Sequence, residues 1–536
     1  MWLRNLLFLG LVVGGLVALG AGLMPPRQPK PVTRYDASAY KAPDFRDAVA
    51  RVDASFRRQW AEGKLRPAQA ASNLAVARRL ALGLMGTIPS LEEARQLEYL
   101  PADEQLPWWV DHVLQDRRFA DYFAERFARA CVGTEDGPFI FYRRRRFVSW
   151  LSDQFAANRP YDALVRDLIA AGGLWTDRPA TNFVTVTVQP DNKNQPDPVR
   201  LAGRVTRAFL GLRLDCAPCH DHPFAAWKQS DFQGLSAFFG QTHLGFTGIY
   251  SGPGEYQAED RKTSEKKVIS PRVPFARELL PEQGSRRWQL ARWVTDAKNP
   301  YFARAAVNRV WALMLGRPLV EPVDNLEADG VVPPPALQLL ADDFASHGFD
   351  LRRLVRVIAR TEVFRLDSAA DHEITEAEEN AWAAFPMTRL RPEQVVGGLL
   401  QAASITTIDS ESHILVRAVR YGDQNEFVKR YGDSGEDEFD GKGGTIPQRL
   451  LMMNGKLVHE RTKEGLFNAA TRIAWMAPDD ARAVEAAYLT VLTRRPTPEE
   501  AAHFEKLLAE PGAKRSERLE DLYWALINSS EFSWDH

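Results

Sequence analysis

Residues 197–224 read Asp197-Pro198-Val199-Arg200-Leu201-Ala202-Gly203-Arg204-Val205-Thr206-Arg207-Ala208-Phe209-Leu210-Gly211-Leu212-Arg213-Leu214-Asp215-Cys216-Ala217-Pro218-Cys219-His220-Asp221-His222-Pro223-Phe224. The opening pair predicts a helix start. An aspartate side chain accepts from the free N–H groups of the first turn, and proline at the first helical position has no N–H to lose. Leu201, Val205, Phe209 and Leu212 then recur at three- and four-residue intervals and line one face. Gly211 marks the helix end. Two cysteines and two histidines follow at once, so a regular helix delivers the chain into a short segment rich in thiol and imidazole.

The same 3.6-residue period extends in both directions. Val49, Val52, Phe56 and Trp60 share a face, and Pro67 suits the first turn of a helix running towards Leu84. Ser90-Leu91-Glu92-Glu93 and Ser230-Asp231-Phe232-Gln233 read as capping boxes. The second gives its helix an aromatic face of Phe232, Leu235, Phe238 and Phe239 that needs a covering surface, with residues 267–536 the nearest supply. Asn182 to Val188 alternates and predicts a short strand. Gly245 to Lys266 has turn signals without a period and reads as a boundary. Beyond it, Val307, Val310, Trp311 and Met314 form a stripe ended by Gly316, and Asp350 caps a helix with Leu351, Leu354, Val355 and Ile358 inward. The expected fold is mainly α: two packed helical domains with a few short strands, preceded by an N-terminal membrane anchor or signal segment. The expected division is 1–24 anchor or signal, 25–44 linker, 45–244 first domain, 245–266 linker and 267–536 second domain.

A formal net charge of −2 across 536 residues supplies no basic field for nucleic acid. The dense run Arg143 to Arg146, flanked by Phe139, Phe141, Tyr142 and Phe147, reads as a solvated helix face with buried stems. The acidic, glycine-rich stretch Asp433 to Gly444 lacks EF-hand spacing and reads as a solvated loop. Three cysteines are too few for a disulfide scaffold, yet two of them form Cys216-Ala217-Pro218-Cys219-His220. C-x-x-C-H is the attachment signature of c-type haem. Two thiols at this spacing can each add to a vinyl group of one porphyrin, and the next histidine supplies an axial imidazole. Cys216, Cys219 and His220 are therefore the cofactor-binding candidates. Asp221 and His222 are too close in sequence to reach the far face of the same iron and are assigned to supporting contacts. His243 is a candidate sixth ligand, as is Met314. Three other readings of the motif are zinc, held by the two cysteines with His220, His222 or His243, a thiol–disulfide pair, and a structural element with no cofactor.

Leu6 to Met24 is uncharged and apolar, near the length that spans a bilayer, and Ala18-Leu19-Gly20 would serve for signal cleavage. Arg27, Lys30 and Arg34 follow it while Arg4 precedes it, a balance that alone favours a cytoplasmic body. Covalent haem attachment takes place outside the cytoplasm. The expectation is a periplasmic protein, anchored to the inner membrane or released into the periplasm.

Residues 81–93, from Ala81-Leu82-Gly83-Leu84 to Leu91-Glu92-Glu93, resemble the two-domain planctomycete cytochrome c-like proteins, whose paired domains are of unknown function. So do Ala208 to Leu212 with Cys216 to Phe224, Asn299-Pro300-Tyr301-Phe302-Ala303-Arg304, Asn308-Arg309-Val310-Trp311 and Gly316 to Pro322. Arg389 to Glu393, Met453-Asn454-Gly455, Arg495 to Glu500 and Ala525 to Phe532 continue the resemblance, which spans residues 45–535. Met85-Gly86 stand where that family usually has prolines, and no small cytochrome domain with a downstream axial methionine is recognisable. The resemblance implies an exported, haem-bearing protein of redox or electron-transfer type, considered with polysaccharide breakdown, with a redox partner or polysaccharide as its counterpart. The alternatives are a carbohydrate-active hydrolase or lyase with a structural haem or metal, and a membrane-anchored, non-enzymatic glycan-binding scaffold.

Overall fold

The computed structural model describes residues 2–23, 33–134, 141–189, 192–214, 227–259, 265–327, 332–409, 412, 414–432, 439, 445–465 and 468–536, with the side chains of 3, 16–23 and 414–421 excepted. The architecture is mainly α, as the periodicity predicts. Among the described residues the strands form three two-stranded antiparallel pairs: Thr242–Gly245 with Gly248–Ser251, Gln257–Glu259 with Lys266–Val268, and Thr388–Arg389 with Trp534–Asp535. The apolar N-terminal run lies in the helix Trp2–Leu23. Among the described residues no helix is long and apolar enough to cross a membrane.

The helix Asn73–Met85 is the central element. Ser72 caps it, its Oγ accepting from the Ala75 N–H at 3.2 Å. From Val76 to Met85 every residue is buried, so this helix has no solvent face. Gly83 lies against the helix Phe302–Leu315, where a Cβ would stand 2.7 Å from the Leu313 carbonyl oxygen. On another side comes the helix Pro392–Ala402: a Cβ at Gly397 would collide with the Gly86 carbonyl, and Thr87 Oγ1 donates to the Gly397 carbonyl at 3.0 Å. Two hydrophobic cores meet here. One runs from Tyr40 to Phe385 without a break at residues 245–266. The other joins Leu82, Ile88 and Leu91 to side chains between Leu390 and Phe532.

Buried arginines extend these ties. Arg78 donates to the Val491 carbonyl at 3.0 Å. Arg79 donates to the Leu366 carbonyl at 2.6 Å and lies 3.7 Å over the Phe385 ring. In the helix Pro43–Gly63, Phe56 stacks on Trp311, and Trp60 Nε1 donates to the Ala381 carbonyl at 2.8 Å. The aromatic face of Phe232, Leu235, Phe238 and Phe239 is covered by the helices Pro198–Val205 and Arg286–Val294, so its covering surface is drawn from both sides of the 245–266 stretch.

Several local expectations change. Asn182 to Val188 is a short helix, Asn182–Thr185, and turns; both alternating sets of side chains are buried and Thr187 Oγ1 bonds back to the Val184 carbonyl, so no polar face exists for a strand to show to water. Pro67 does not open a helix. The backbone around it is spent elsewhere: the Ala68 N–H donates to Ala383 and that of Ala71 to Arg365. The cap of the helix Gln229–Ser236 sits at Lys228, whose N–H donates to Asp231 at 3.1 Å. The stretch taken as a linker carries the helix Ala37–Lys41, and Tyr40 is buried with its hydroxyl 3.0 Å from Asp111. In the basic run, Arg145 and Arg146 are exposed while Arg144 pairs with Glu125 at 2.6 Å. The acidic stretch 433–444 lies outside the described residues except for Phe439.

Ser90 and Glu93 form the expected capping box on the helix Leu91–Glu98. Glu93 is also buried against Arg118, which bonds to Asp116 at 2.7 Å, and His112 Nε2 stands 3.2 Å from the same carboxylate. Burial alone would push the Glu93 carboxyl up; Arg118, and then His112, outweigh it and hold it far below the ordinary carboxylate range.

Two outcomes follow from this packing. In an unhindered helix, Gly→Ala gains about 1 kcal/mol. Gly83→Ala is expected to lose about 1–3 kcal/mol of unfolding free energy in urea, because the Leu313 backbone cannot give way as a side chain would; a gain would show that the helices are not in contact. Glu93→Gln is expected to cost about 3–5 kcal/mol at pH 7, since it leaves Arg118 buried with one fewer counter-charge. A carboxyl whose folded pKa is depressed contributes stability above its unfolded pKa and loses that contribution as pH falls. The gap between wild type and Glu93→Gln should therefore narrow on acidification through the carboxylate range, and an equal gap at pH 7 and pH 3 would assign it to packing alone.

Candidate functional site

Cys216, Cys219, His220, Asp221 and His222 all lie outside the described residues, which stop at Leu214 and resume at Trp227. The two flanks are well defined. The helix Pro198–Val205 begins as predicted, with Asp197 Oδ1 accepting from the Val199 and Arg200 N–H groups at 2.9 and 3.2 Å. It continues as a wider π turn over Thr206–Leu210 and ends at Gly211. Such turns are uncommon and frequent at functional sites. The Gly211 carbonyl accepts from Leu326 N–H at 2.8 Å, Leu212 and Leu214 are buried, and Arg213 Nε reaches Asp324 at 2.8 Å. On the return side, Trp227 packs against Phe275, which meets Trp293 and Tyr301. Both flanks of the cysteine segment are thus fastened to residues beyond position 266.

A cavity of about 300 Å3 opens beside the outgoing flank. Its wall includes Arg129 and Cys131 from the helix Arg117–Val132, Arg200, Arg204 and Arg207 from the helix and π turn before the motif, and Arg309 from the helix Phe302–Leu315. Asp324 is the carboxylate of that wall. It pairs with Arg207 and Arg213; burial pushes its carboxyl up, but the two guanidinium groups outweigh this and hold it below its ordinary value. Cys131 is buried, and desolvation pushes its thiol up to about 12 against the opposing pull of Arg309 and Arg204. At neutral pH it is a neutral thiol. Sequence reasoning did not single out this cavity. The i, i+4, i+7 spacing of Arg200, Arg204 and Arg207 is its one local signal.

His243 lies in the first hairpin, its Nε2 donating to the Pro253 carbonyl at 2.9 Å and its ring 5.6 Å from Tyr250, which leaves Nδ1 as the lone pair for any ligand. Met314 is fully buried on the helix that Gly83 touches. Among the described residues, Glu93, His112 and Asp116 are the acid–imidazole set close enough to share a metal ion. Arg118 already occupies the cation position of that set, bonded to both carboxylates.

Residues 51–244 match the family model PSCyt2, described as a protein of unknown function (DUF1549), and residues 286–430 match PSD1, described as a protein of unknown function (DUF1553). No curated protein and no solved structure matches the chain. The chain therefore carries two domains of unknown function in tandem, a pairing known from planctomycete proteins.

Proposed function

We propose that this chain is an extracytoplasmic, haem-bearing protein of redox or electron-transfer type. Cys216 and Cys219 hold the porphyrin through thioether bonds and His220 provides the axial imidazole. The observation that carries this reading is the unbroken C-x-x-C-H spacing at 216–220 in a chain with only three cysteines. The donor set fits the group: two thiols for two vinyl carbons and one imidazole for iron. The described neighbours fit as well, since Leu212 and Leu214 give the outgoing flank an apolar wall and Trp227 flanks the return. Bound, the haem supplies a one-electron couple. The chain's own residues fix where that couple sits: Arg213 on Asp324 and Trp227 on Phe275 brace the two flanks of the segment. The apolar run in Trp2–Leu23 supports placement outside the cytoplasm as a signal or anchor, and the connection to polysaccharide breakdown rests on the resemblance alone.

Protein made with the c-type maturation machinery should show a Soret band that shifts on reduction, a mass increased by one haem, and colour that acid–acetone does not extract. Replacing both Cys216 and Cys219 by alanine should leave at most loosely held haem. His220→Ala should keep thioether attachment and alter the spin state, because the imidazole is an axial ligand and not the covalent anchor. Colourless wild-type protein, made with the machinery present, would overturn the proposal. One zinc per chain without a Soret band would replace haem by the metal reading.

A further inference from the structure

The cavity before the motif concentrates positive charge at a cost that its own wall does not offset. Arg200 and Arg204 are four residues apart and Arg207 three further on, so they share a helix face, where like charges at these spacings repel. Arg309 and Arg129 approach the same space from two other helices. The acids nearby are already committed. Asp324 serves Arg207 and Arg213, and Arg129 pairs with Glu125 at 3.3 Å and Glu393 at 3.2 Å. Neither the Arg200 nor the Arg309 side chain makes a hydrogen bond or ion pair among the described residues. Arg309 is half-buried and lies close enough to Cys131 to act on its thiol. The buried Cys131 thiol brings no counter-charge. A folded protein converges guanidinium groups on an enclosed space when something with acceptor oxygens completes them, because arginine's planar fork matches carboxylate and phosphate in geometry and charge.

We propose that the cavity bounded by Arg200, Arg204, Arg207 and Arg309 is a binding site for a small oxyanion, a carboxylate or phosphate group, with Arg200 and Arg309 as the principal ligands. A volume of about 300 Å3 stands at the lower end for small-ligand sites, which favours a compact group over an extended one. The chemistry has two sources: a free small anion, or the propionates of a haem held at 216–220. The second source rests on the proposed function; the first does not.

The test uses the full-length chain made with and without haem maturation. Inorganic phosphate and malonate are titrated calorimetrically, with thermal shifts in parallel. The haem-free chain should bind at least one of the two anions, with affinity falling as salt rises. Arg200→Gln and Arg309→Gln should each weaken binding at least tenfold, while the exposed Arg58→Gln leaves it unchanged. Without anion, the two cavity variants should melt no lower than wild type, because each removes a like charge from the cluster. A variant that fails to fold is thereby distinguished from one that has lost a ligand. Binding to both the haem-free and the haem-loaded chain assigns a free anion; binding to the haem-free chain alone assigns the propionates. If the matured protein carries no haem yet the anion still binds, the proposed function fails and this site stands. Absence of binding by either anion to the haem-free chain, or equal binding by both glutamine variants and wild type, overturns it.

Discussion

The approach of two helices onto the helix Asn73–Met85 is the constraint from which the rest of the packing follows. A helix buried on every side must offer backbone, and not only side chains, as contact surface. It does so at Gly83 towards Leu313 and at the Gly86 carbonyl towards Gly397. Those contacts set the helix axes closer than side chains would allow. They also fix where Leu82, Ile88 and Leu91 point, which is into the core that the last third of the chain completes. Close-packed interiors have little slack, so a displacement at this crossing would be felt in both cores.

Charge is handled in a matching way. Glu93 meets Arg118, Glu393 meets Arg126 and Arg129, and Asp324 meets Arg207 and Arg213. The last two groups join residues more than a hundred positions apart. Pairs of this kind add little net stability over an apolar substitute, but breaking one leaves a bare buried charge. Their effect here is to tolerate one arrangement of distant segments and penalise others. The arginine-lined cavity departs from this rule, since its guanidinium groups exceed the carboxylates beside it.

Local chemistry was legible in the sequence and distant chemistry was not. Asp197 with Pro198, Ser90 with Glu93, and Asp350 each cap the helix that their spacing foretold, because a cap is settled within four residues. The stretch at Asn182 misled because alternation signals a strand only when one face meets water, and here both are covered. Pro67 misled because its neighbours bond to residues some three hundred positions away. The C-x-x-C-H segment was read entirely from its spacing, and its residues lie outside those described. The cavity beside it needed Arg129, Arg204 and Arg309 to be brought together from three helices, and no single window of sequence contains that meeting.

The unbroken core from Tyr40 to Phe385 also bears on heredity. Residues 51–244 and 286–430 correspond to separate family models, yet the first supplies Phe56 and Gly83 to surfaces that the second must fill with Trp311 and Leu313. A recombination event that parted the two coding regions would leave each product with a bare apolar wall. Shuffling, which freely rearranges self-sufficient modules, has no purchase on such a pair. In this protein the two domains form one physical unit, and selection on folding alone suffices to keep their coding regions adjacent and in order.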